Sequence, residues 1–393
     1  MGFLSGPLKF DCFRIGGSPP RQFGAKHIEI LKRFAIGQID TSATDQADVG
    51  FLAGEHLFDS DFGLEKNVIG DALHCAMRVD TNQIPSAVRR AWLQMELAVL
   101  SAENPSGRPT KAQRQEAKDA VEARCEDEAK SGKFRRMQQF PLLWDAKKNV
   151  LYFGGSGLVA SEHCRDLCSR AFDLELEQLT AGRRAQEWAA EAKRSKALEE
   201  IQPSAFPGHD VPGEIDWWNG EQGNFDFLGN EFLLWLWWRW DTQSDTISLP
   251  DDSEVTGMLA RTLTLQCPRG ESGKETITAE APSRLPEAAQ AIRSGKLPRK
   301  TGLILVRHGQ QYELVLQAET FSVSGARIRT EEAAEERAVP EDRIESLREF
   351  NETIDLLFRA FCVRRVGKSW SNESDEMGRW LKSGPSKTKK QTA

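Results

Sequence analysis

Basic residues that could contact phosphate gather in two stretches of this chain. In the first, Lys133, Arg135 and Arg136 surround Phe134 within the string KFRR. The second stretch, residues 293–307, contains no acidic residue and five basic ones, which are Arg293, Lys296, Arg299, Lys300 and Arg307. Because a few neutralised phosphates suffice for micromolar, salt-sensitive and sequence-independent binding, both stretches are candidate DNA-facing surfaces. The alternative is a charged face that meets only solvent.

A second candidate group contains His163, Cys164 and Cys168, whose spacing places them on one side of a helix. A structural zinc site needs four ligands, and no second Cys or His pair with suitable spacing accompanies these three. Buried free thiols are therefore the preferred interpretation, and no metal site is predicted.

Two short strings resemble pieces of enzyme motifs. Gly154, Gly155 and Gly157 lie between a predicted strand and a predicted helix, where an anion could bind, but they lack the spacing of a dinucleotide-binding loop and suit a tight turn. His308, between Arg307 and Gly309, has the form of a phosphatase motif without its further Arg and His partners. The sequence thus predicts no catalytic residue and no cofactor.

Composition places the chain among globular proteins. It has 393 residues, of which 28% are charged and 39% hydrophobic, and a net charge of −7. No apolar run reaches the roughly 18 residues that a membrane helix needs, and the seven cysteines are scattered, as is typical of free thiols. These features predict a cytoplasmic protein. The negative net charge restricts any phosphate-binding surface to local basic patches.

The elements that must position the first basic stretch are two predicted helices. The first begins at Pro85 and carries an apolar series expected to pack against a core: Val88, Trp92, Met95 and Val99. A Pro/Gly break at 104–109 ends it. Thr110 and Gln113 then have the form of a capping box that opens a helix over 111–130. Because this second helix is polar nearly all round, it is predicted to project into solvent or to meet a charged partner.

Strands and helices alternate in the rest of the chain, which predicts an α+β fold of two lobes with mainly antiparallel sheets. The predicted strands are 8–15, 49–58, 73–79, 174–179, 259–266, 275–280 and 321–328, with hairpin turns at 145–149 and 308–310. The predicted helices are 27–34, 162–172, 183–200, 286–294 and 341–363. From Gly378 on, the basic tail is expected to be disordered.

The run FLGNEFLLWLWWRWD, residues 227–241, places four tryptophans within six residues. Indoles on all sides of a helix predict burial on more than one face, as in a core helix between two lobes. A base-stacking platform is the alternative, although such residues usually alternate with basic ones on an exposed sheet.

These patterns divide the chain into six parts. They are an N-terminal α+β segment (1–83), a protruding helical region (84–137), an α+β unit that closes the first lobe (138–182), a Trp-rich insert and linker (183–256), a second α+β lobe (257–365) and a basic tail (366–393).

An ordered series of segments resembles the RdgC family, the recombination-associated proteins of bacteria. The series is IPSAVRRAWLQMELAVL, PTKAQRQEAKDAVEAR, KFRR before LLWD, NVLYFGG, EFLLWLW, TLTLQC, EAAQAIRSGKLPRKTGLIL and YELVLQAETF. It covers about 50–330. The opening residues, the region 183–228 and the basic tail depart from the family pattern, and Thr278, Ala279, Glu280 and Ala281 replace polar DNA-facing residues.

The resemblance implies a homodimer that closes into a ring around double-stranded DNA, binds it with little sequence preference and modulates the RecA recombinase without being an enzyme. It also implies a nucleoid location, with Arg89 and Arg90 joining the two basic stretches as DNA-binding residues. Phe134 and Met137 are the expected dimer contacts, opposite the acidic residues Glu126, Asp127 and Glu128. Two alternatives stay open: a metal-dependent DNA-processing or defence-associated enzyme, and a protein-interaction scaffold that uses the Trp-rich helix.

Overall fold

The first half of the chain alternates helices with strands. A computed structural model describes residues 2–37, 47–102, 104–105, 107–204, 223–268, 270, 272–329 and 340–383. The strands of the first half are β1 (Leu8–Ile15), β2 (Asp48–Leu52), β3 (Val68–Ile69), β4 (Ala72–Thr81), β5 (Arg136–Asp145), β6 (Val150–Phe153) and β7 (Leu176–Gln178). Its helices are α1 (Ala25–Arg33), α2 (Leu64–Asn67), α3 (Ser86–Ala102), α4 (Lys111–Lys130), α5 (Leu158–Phe172), α6 (Ala181–Glu191) and α7 (Ser195–Glu199). The helix predicted over 183–200 is two helices, because Lys193 adopts a left-handed conformation (φ 55°) between them.

The second half is dominated by long strands and by helices that cover them. Its strands are β8 (Thr246–Ser248), β9 (Glu254–Gln266), β10 (Glu275–Ala279), β11 (Leu297–Arg307), β12 (Gln310–Gln317) and β13 (Val323–Arg329). Its helices are α8 (Phe227–Thr242), α9 (Pro286–Arg293), α10 (Pro340–Arg365) and α11 (Trp370–Ser383), with a 3₁₀ turn at Pro282–Arg284.

Helix α11 corrects the expectation that the chain is disordered from Gly378 on. Trp370, Met377, Trp380 and Leu381 recur at helical spacing, and all four are buried. The stripe packs against α8, where the rings of Trp380 and Trp237 lie 5.6 Å apart. Ordered structure therefore continues to Ser383, and the rest of the tail, 384–393, lies outside the described residues.

One antiparallel sheet contains strands from both halves of the chain. Its main path is β10-β9-β11-β12-β13-β1-β6-β5-β4-β2. Strand β1 joins the strands of the two halves, because it pairs with β13 through Leu8 and Phe10 and with β6 through Asp11 and the residues that follow. The expected α+β class with mainly antiparallel sheet is confirmed, and the ring-forming dimer stays a prediction.

Side-chain alternation along β1 divides the interior into two cores. Leu8, Phe10 and Cys12 belong to a core that α8, α10 and α11 cover. Phe13 and Ile15 point the other way, into a core that α1 and α5 cover. Strand β4 lies between the two cores, because every residue from Ala72 to Asp80 is buried.

Helix α8 is the Trp-rich element, and it is a core helix, as predicted. All residues from Phe227 to Trp238 are buried. Its two central polar side chains have partners, since Asn230 donates to the carbonyl of Pro298 at 2.8 Å and Glu231 pairs with Arg365 at 2.5 Å. Burial makes the base-stacking alternative wrong for the three tryptophans at 235, 237 and 238. None of the described helices is long and apolar enough to span a bilayer.

Candidate nucleic-acid interface

Helices α3 and α4 form an arm (residues 86–130) that precedes the first basic stretch. Helix α4 has the predicted bounds, because its capping box forms. The N–H of Gln113 donates to Thr110 Oγ1 at 3.2 Å, and Gln113 Oε1 accepts the N–H of Thr110 at 2.9 Å. This reciprocal pair satisfies two of the backbone groups that a helix start leaves unpaired.

The arm has a small core at its base. Trp92, Val121 and Cys125 are buried together, and the ring of Phe134 packs edge-on against Trp92 at 6.3 Å. Arg124 also lies over the ring of Trp92, 4.4 Å from its centre. These contacts hold the junction between α4 and β5 against the arm.

The far end of the arm is not packed in this way, which corrects the expectation for α3. Met95 and Val99 are 60% and 56% exposed, whereas Trp92 in the same series is buried. Helix α4 has its large apolar residues, Val121 and Cys125, near its C-terminal end, so it offers the distal half of α3 little to pack against. Two apolar side chains are therefore left at the surface.

Arg135 is paired with carboxylates, although its side chain is 41% exposed. Its guanidinium pairs with Asp80 at 2.5 Å and lies 3.8 Å from Asp48. Arg78 also pairs with the buried Asp80, at 2.7 Å. Burial, and then the neighbouring Asp80, raise the pKa of Asp48 above its ordinary value. Arg135 therefore has less charge to offer a phosphate than its exposure suggests.

Arg136 lies on the opposite face of the sheet from Arg135. In β5 it pairs in register with Thr81, while Met137 pairs with Asp80, and successive strand residues point to opposite faces. Arg136 is exposed and has no acidic partner in the part of the chain that the structure describes. The basic stretch that looks continuous in sequence is thus divided between two faces.

Lys133, Arg89 and Arg90 are the other predicted DNA-binding residues near the arm. Lys133 is 63% exposed and only loosely paired, with Glu128 at 3.4 Å. Arg89 forms an ion pair with Glu122 across the arm, and both side chains are 54% exposed. Arg90 is exposed and has no acidic partner among the described residues. Of the predicted DNA-binding residues at the base of the arm, Arg90, Lys133 and Arg136 are therefore the most available.

The second basic stretch is largely used inside the fold. Lys296 and Arg307 are each 6% exposed; Lys296 pairs with Glu275, and Arg307 with Asp251 at 2.5 Å. Arg307 is the last residue of β11, which lies between β9 and β12, and Lys296 directly precedes this strand. Burial in ion pairs leaves these two cations little surface to offer DNA, which corrects their predicted outward orientation.

The other three residues of this stretch differ in exposure. Arg299 is mostly buried and pairs with Glu319 at 2.5 Å. Lys300 is half-buried on β11. Arg293 is exposed at the end of α9, where its Nε donates to the carbonyl of Ala289 at 3.1 Å. The predicted phosphate-facing surface therefore reduces to Arg293 and Lys300.

A cleft of about 1370 Å³ lies where the arm, the β2 edge of the sheet and α5 meet. The carboxylates that line it are Asp48, Asp80, Glu122, Glu126, Glu162 and Asp166. The cationic side chains that line it are Arg89, Lys130, Arg135 and Arg170. Six negative charges against four positive ones leave an excess of two negative charges, so the cleft disfavours phosphate.

The residues singled out for metal or anion chemistry have structural roles. Cys164 and Cys168 are buried free thiols, and their mutual hydrogen bond, with burial, raises the pKa of Cys164 well above its ordinary value. Among the described residues, no group of three or more His, Cys, Asp or Glu side chains is arranged to share a metal ion. Gly157 forms the turn before α5 with φ 96°, a conformation that favours glycine. His308 is exposed in the β11–β12 turn.

The predicted dimer contacts are half-buried within the chain. Phe134 packs on Trp92, and Met137 lies at the start of β5 on the same face as Asp80. Sequence reasoning missed the role of Asp48 and Asp80 in holding Arg135. A pattern that points to such a site is Arg78-Val79-Asp80, because alternate strand residues share a face and can form an ion pair there.

Comparison with known proteins adds no assignment to this geometry. No protein-family model matches the chain, and no curated protein matches it in sequence.

Proposed function

We propose that this protein binds double-stranded DNA without reading its sequence, through the base of the arm. The observation that carries the proposal is the exposure there of Arg90, Lys133 and Arg136, two of which have no acidic partner among the described residues. Long cationic side chains of this kind contact phosphates and release counterions whatever the base sequence. The order of segments that resembles the RdgC family supports the same function.

The acidic cleft limits where DNA can lie. Its excess of carboxylates repels the phosphate backbone, so the duplex must approach the base of the arm from outside the cleft. Arg136 lies on the opposite face of the sheet from Arg135, which is anchored at Asp80. DNA binding therefore depends on Arg136 and much less on Arg135.

We further propose that two copies associate through their arms and enclose the DNA. Met95 and Val99 are exposed apolar residues on the distal part of α3, and a second arm is a partner that would cover them in a symmetric contact. Light scattering of the wild type and of Met95→Lys/Val99→Lys tests this. A dimer that the double variant converts to monomer supports the enclosure, and a monomeric wild type rules it out.

Modulation of RecA and a location on the nucleoid rest on the family resemblance alone. A strand-exchange assay with purified RecA tests the first of these. Inhibition that disappears when the basic residues at the base of the arm are replaced supports the proposal, and unchanged strand exchange removes it.

Incubation with supercoiled plasmid separates the proposal from the enzyme alternative. We expect a mobility shift that weakens with salt and leaves the plasmid intact, with or without Mg²⁺. Cleavage that requires Mg²⁺ would favour a nuclease. The scaffold alternative loses the surface on which it was based, since Trp235, Trp237 and Trp238 are buried.

A further inference from the structure

A pocket of about 290 Å³ lies at the C-terminal end of α8, and it shares no lining residue with the cleft beside the arm. Trp237, Trp240 and Asp241 line it from the helix, and Asp245 lines it from the turn that follows. Strands β9 and β11 form another wall, and Arg284 stands on the 3₁₀ turn. A volume near 300 Å³ suits a small organic molecule.

The aromatic wall of the pocket is fixed by close packing. A Cβ added at Gly257 on β9 would lie 2.4 Å from Cζ2 of Trp240, so the absence of a side chain at 257 is what lets this indole lie against the strand. Trp237 is held on its other side by Trp380. Exposed Met258 and Val306 add further apolar surface, at 41% and 38% exposure. An apolar ligand body would therefore meet a preformed site.

The charged groups of the pocket favour a cation. Asp241 and Asp245 contribute two carboxylates against the single guanidinium of Arg284. Asp245 is exposed, and its only described side-chain contact is a 3.4 Å hydrogen bond from Thr246, so it has no cationic partner among the described residues. Both aspartates stand at the C-terminal end of a 16-residue helix, whose dipole also attracts positive charge.

The indole of Trp240 lines the pocket from α8. The π face of an indole is also the best aromatic surface for an organic cation.

From these features we infer that the pocket binds a small organic amine with an apolar body. The ammonium group lies between Asp245 and the Trp240 ring, and the apolar body lies against Met258 and Val306. This site is separate from DNA binding, so either inference can fail without the other.

Three probes with one skeleton test the charge preference: 2-phenylethylamine, 2-phenylethanol and phenylacetate. The readout is the indole ¹⁵N–¹H signal of Trp240, assigned by its loss in Trp240→Phe, during titration of the full chain. We expect saturable shifts with the amine, at an affinity about ten-fold above that for phenylacetate. Equal affinity for the three probes, or no saturation up to about 10 mM, overturns the inference.

Two matched variants test the role of the carboxylate. Asp245→Asn removes one of the two carboxylate charges that line the pocket, and Asp252→Asn removes an exposed charge from the nearby β8–β9 turn that does not line it. We expect Asp245→Asn to weaken amine binding about five-fold and Asp252→Asn to leave it unchanged. Equal effects of the two variants would also overturn the inference.

Discussion

Replacing Arg348 by Met tests how helix α10 is held against strand β5. Arg348 on α10 contacts Asp145 at the end of β5 through two hydrogen bonds of 2.8 Å, one from Nε and one from Nη2. It also pairs with Asp71 and, at 2.9 Å, with Glu345. The side chain of Asp145 is fully buried and that of Arg348 is 8% exposed, so this ion pair lies inside the protein.

The expected loss of stability follows from what remains around Asp145. Without Arg348, the partners left to its carboxylate among the described residues are the backbone N–H groups of Lys147 and Lys148, at 3.0 and 3.2 Å. Removing one partner of a buried ion pair leaves an uncompensated charge and costs about 3–5 kcal/mol. That is a large part of the roughly 5–15 kcal/mol by which a folded domain is usually stable.

Urea denaturation measures this loss, and Arg359→Met on the same helix is the matched control. Arg359 pairs with Asp355 at 2.8 Å and Glu191 at 2.5 Å, but these acids are 26% and 59% exposed, so its removal should cost at most about 1 kcal/mol. Asp145→Leu together with Arg348→Met should recover part of the stability, since an apolar pair can replace a buried ion pair. Equal losses in Arg348→Met and Arg359→Met would refute the reasoning.

Three further predictions concern single residues. Burial lowers the pKa of His74 to about 4, so below pH 6.5 this histidine is protonated in the unfolded chain before it is protonated in the folded one. The free energy of unfolding should therefore fall by about 2 kcal/mol from pH 7 to pH 5. Urea titrations of His74→Leu should show that this dependence is lost. Trp92→Ala should loosen the arm without unfolding the rest of the protein. Amide hydrogen exchange should then become faster in α3 and α4 alone. Global unfolding of the variant would contradict this prediction. Gly229→Ala should lower the free energy of unfolding by several kcal/mol, because the added Cβ would lie against the carbonyl oxygen of Ala318. Gly24→Ala is the control and should cost little, because open space surrounds that position. Similar melting temperatures for the two variants would contradict this prediction.

Much of the fold was predictable because it depends on local patterns. Strand Leu8–Ile15 and helix 111–130 have their predicted bounds, one set by a dense run of strand-forming residues and the other by a capping box. The burial of α8 followed from indoles on every side of the helix. The same reasoning overlooked α11, although Met377, Trp380 and Leu381 already show its helical spacing.

The candidate site was less predictable because its charges depend on distant partners. Arg307 is neutralised by Asp251, 56 residues earlier, and Arg135 by Asp80, 55 residues earlier. Sequence shows that basic residues cluster, but only the sheet register shows that Arg135 and Arg136 point to opposite faces. Clustering in sequence therefore overestimates the phosphate-binding surface, because only some of the clustered basic residues are exposed and available.

The most direct test of the proposed function is the salt dependence of duplex binding. Fluorescence anisotropy would measure the affinity of three proteins for two duplexes of unrelated sequence. The proteins are the wild type, the triple variant Arg90→Gln/Lys133→Gln/Arg136→Gln and the control Lys147→Gln/Lys148→Gln, which removes charge at exposed, ion-paired lysines. We predict that the triple variant binds both duplexes more weakly by the same factor. Its slope of log affinity against log salt should be shallower by about 0.9 for each phosphate that the variant no longer neutralises, and the control should match the wild type. Wild-type protein that fails to bind either duplex at low salt, or a triple variant with an unchanged slope, would contradict the account.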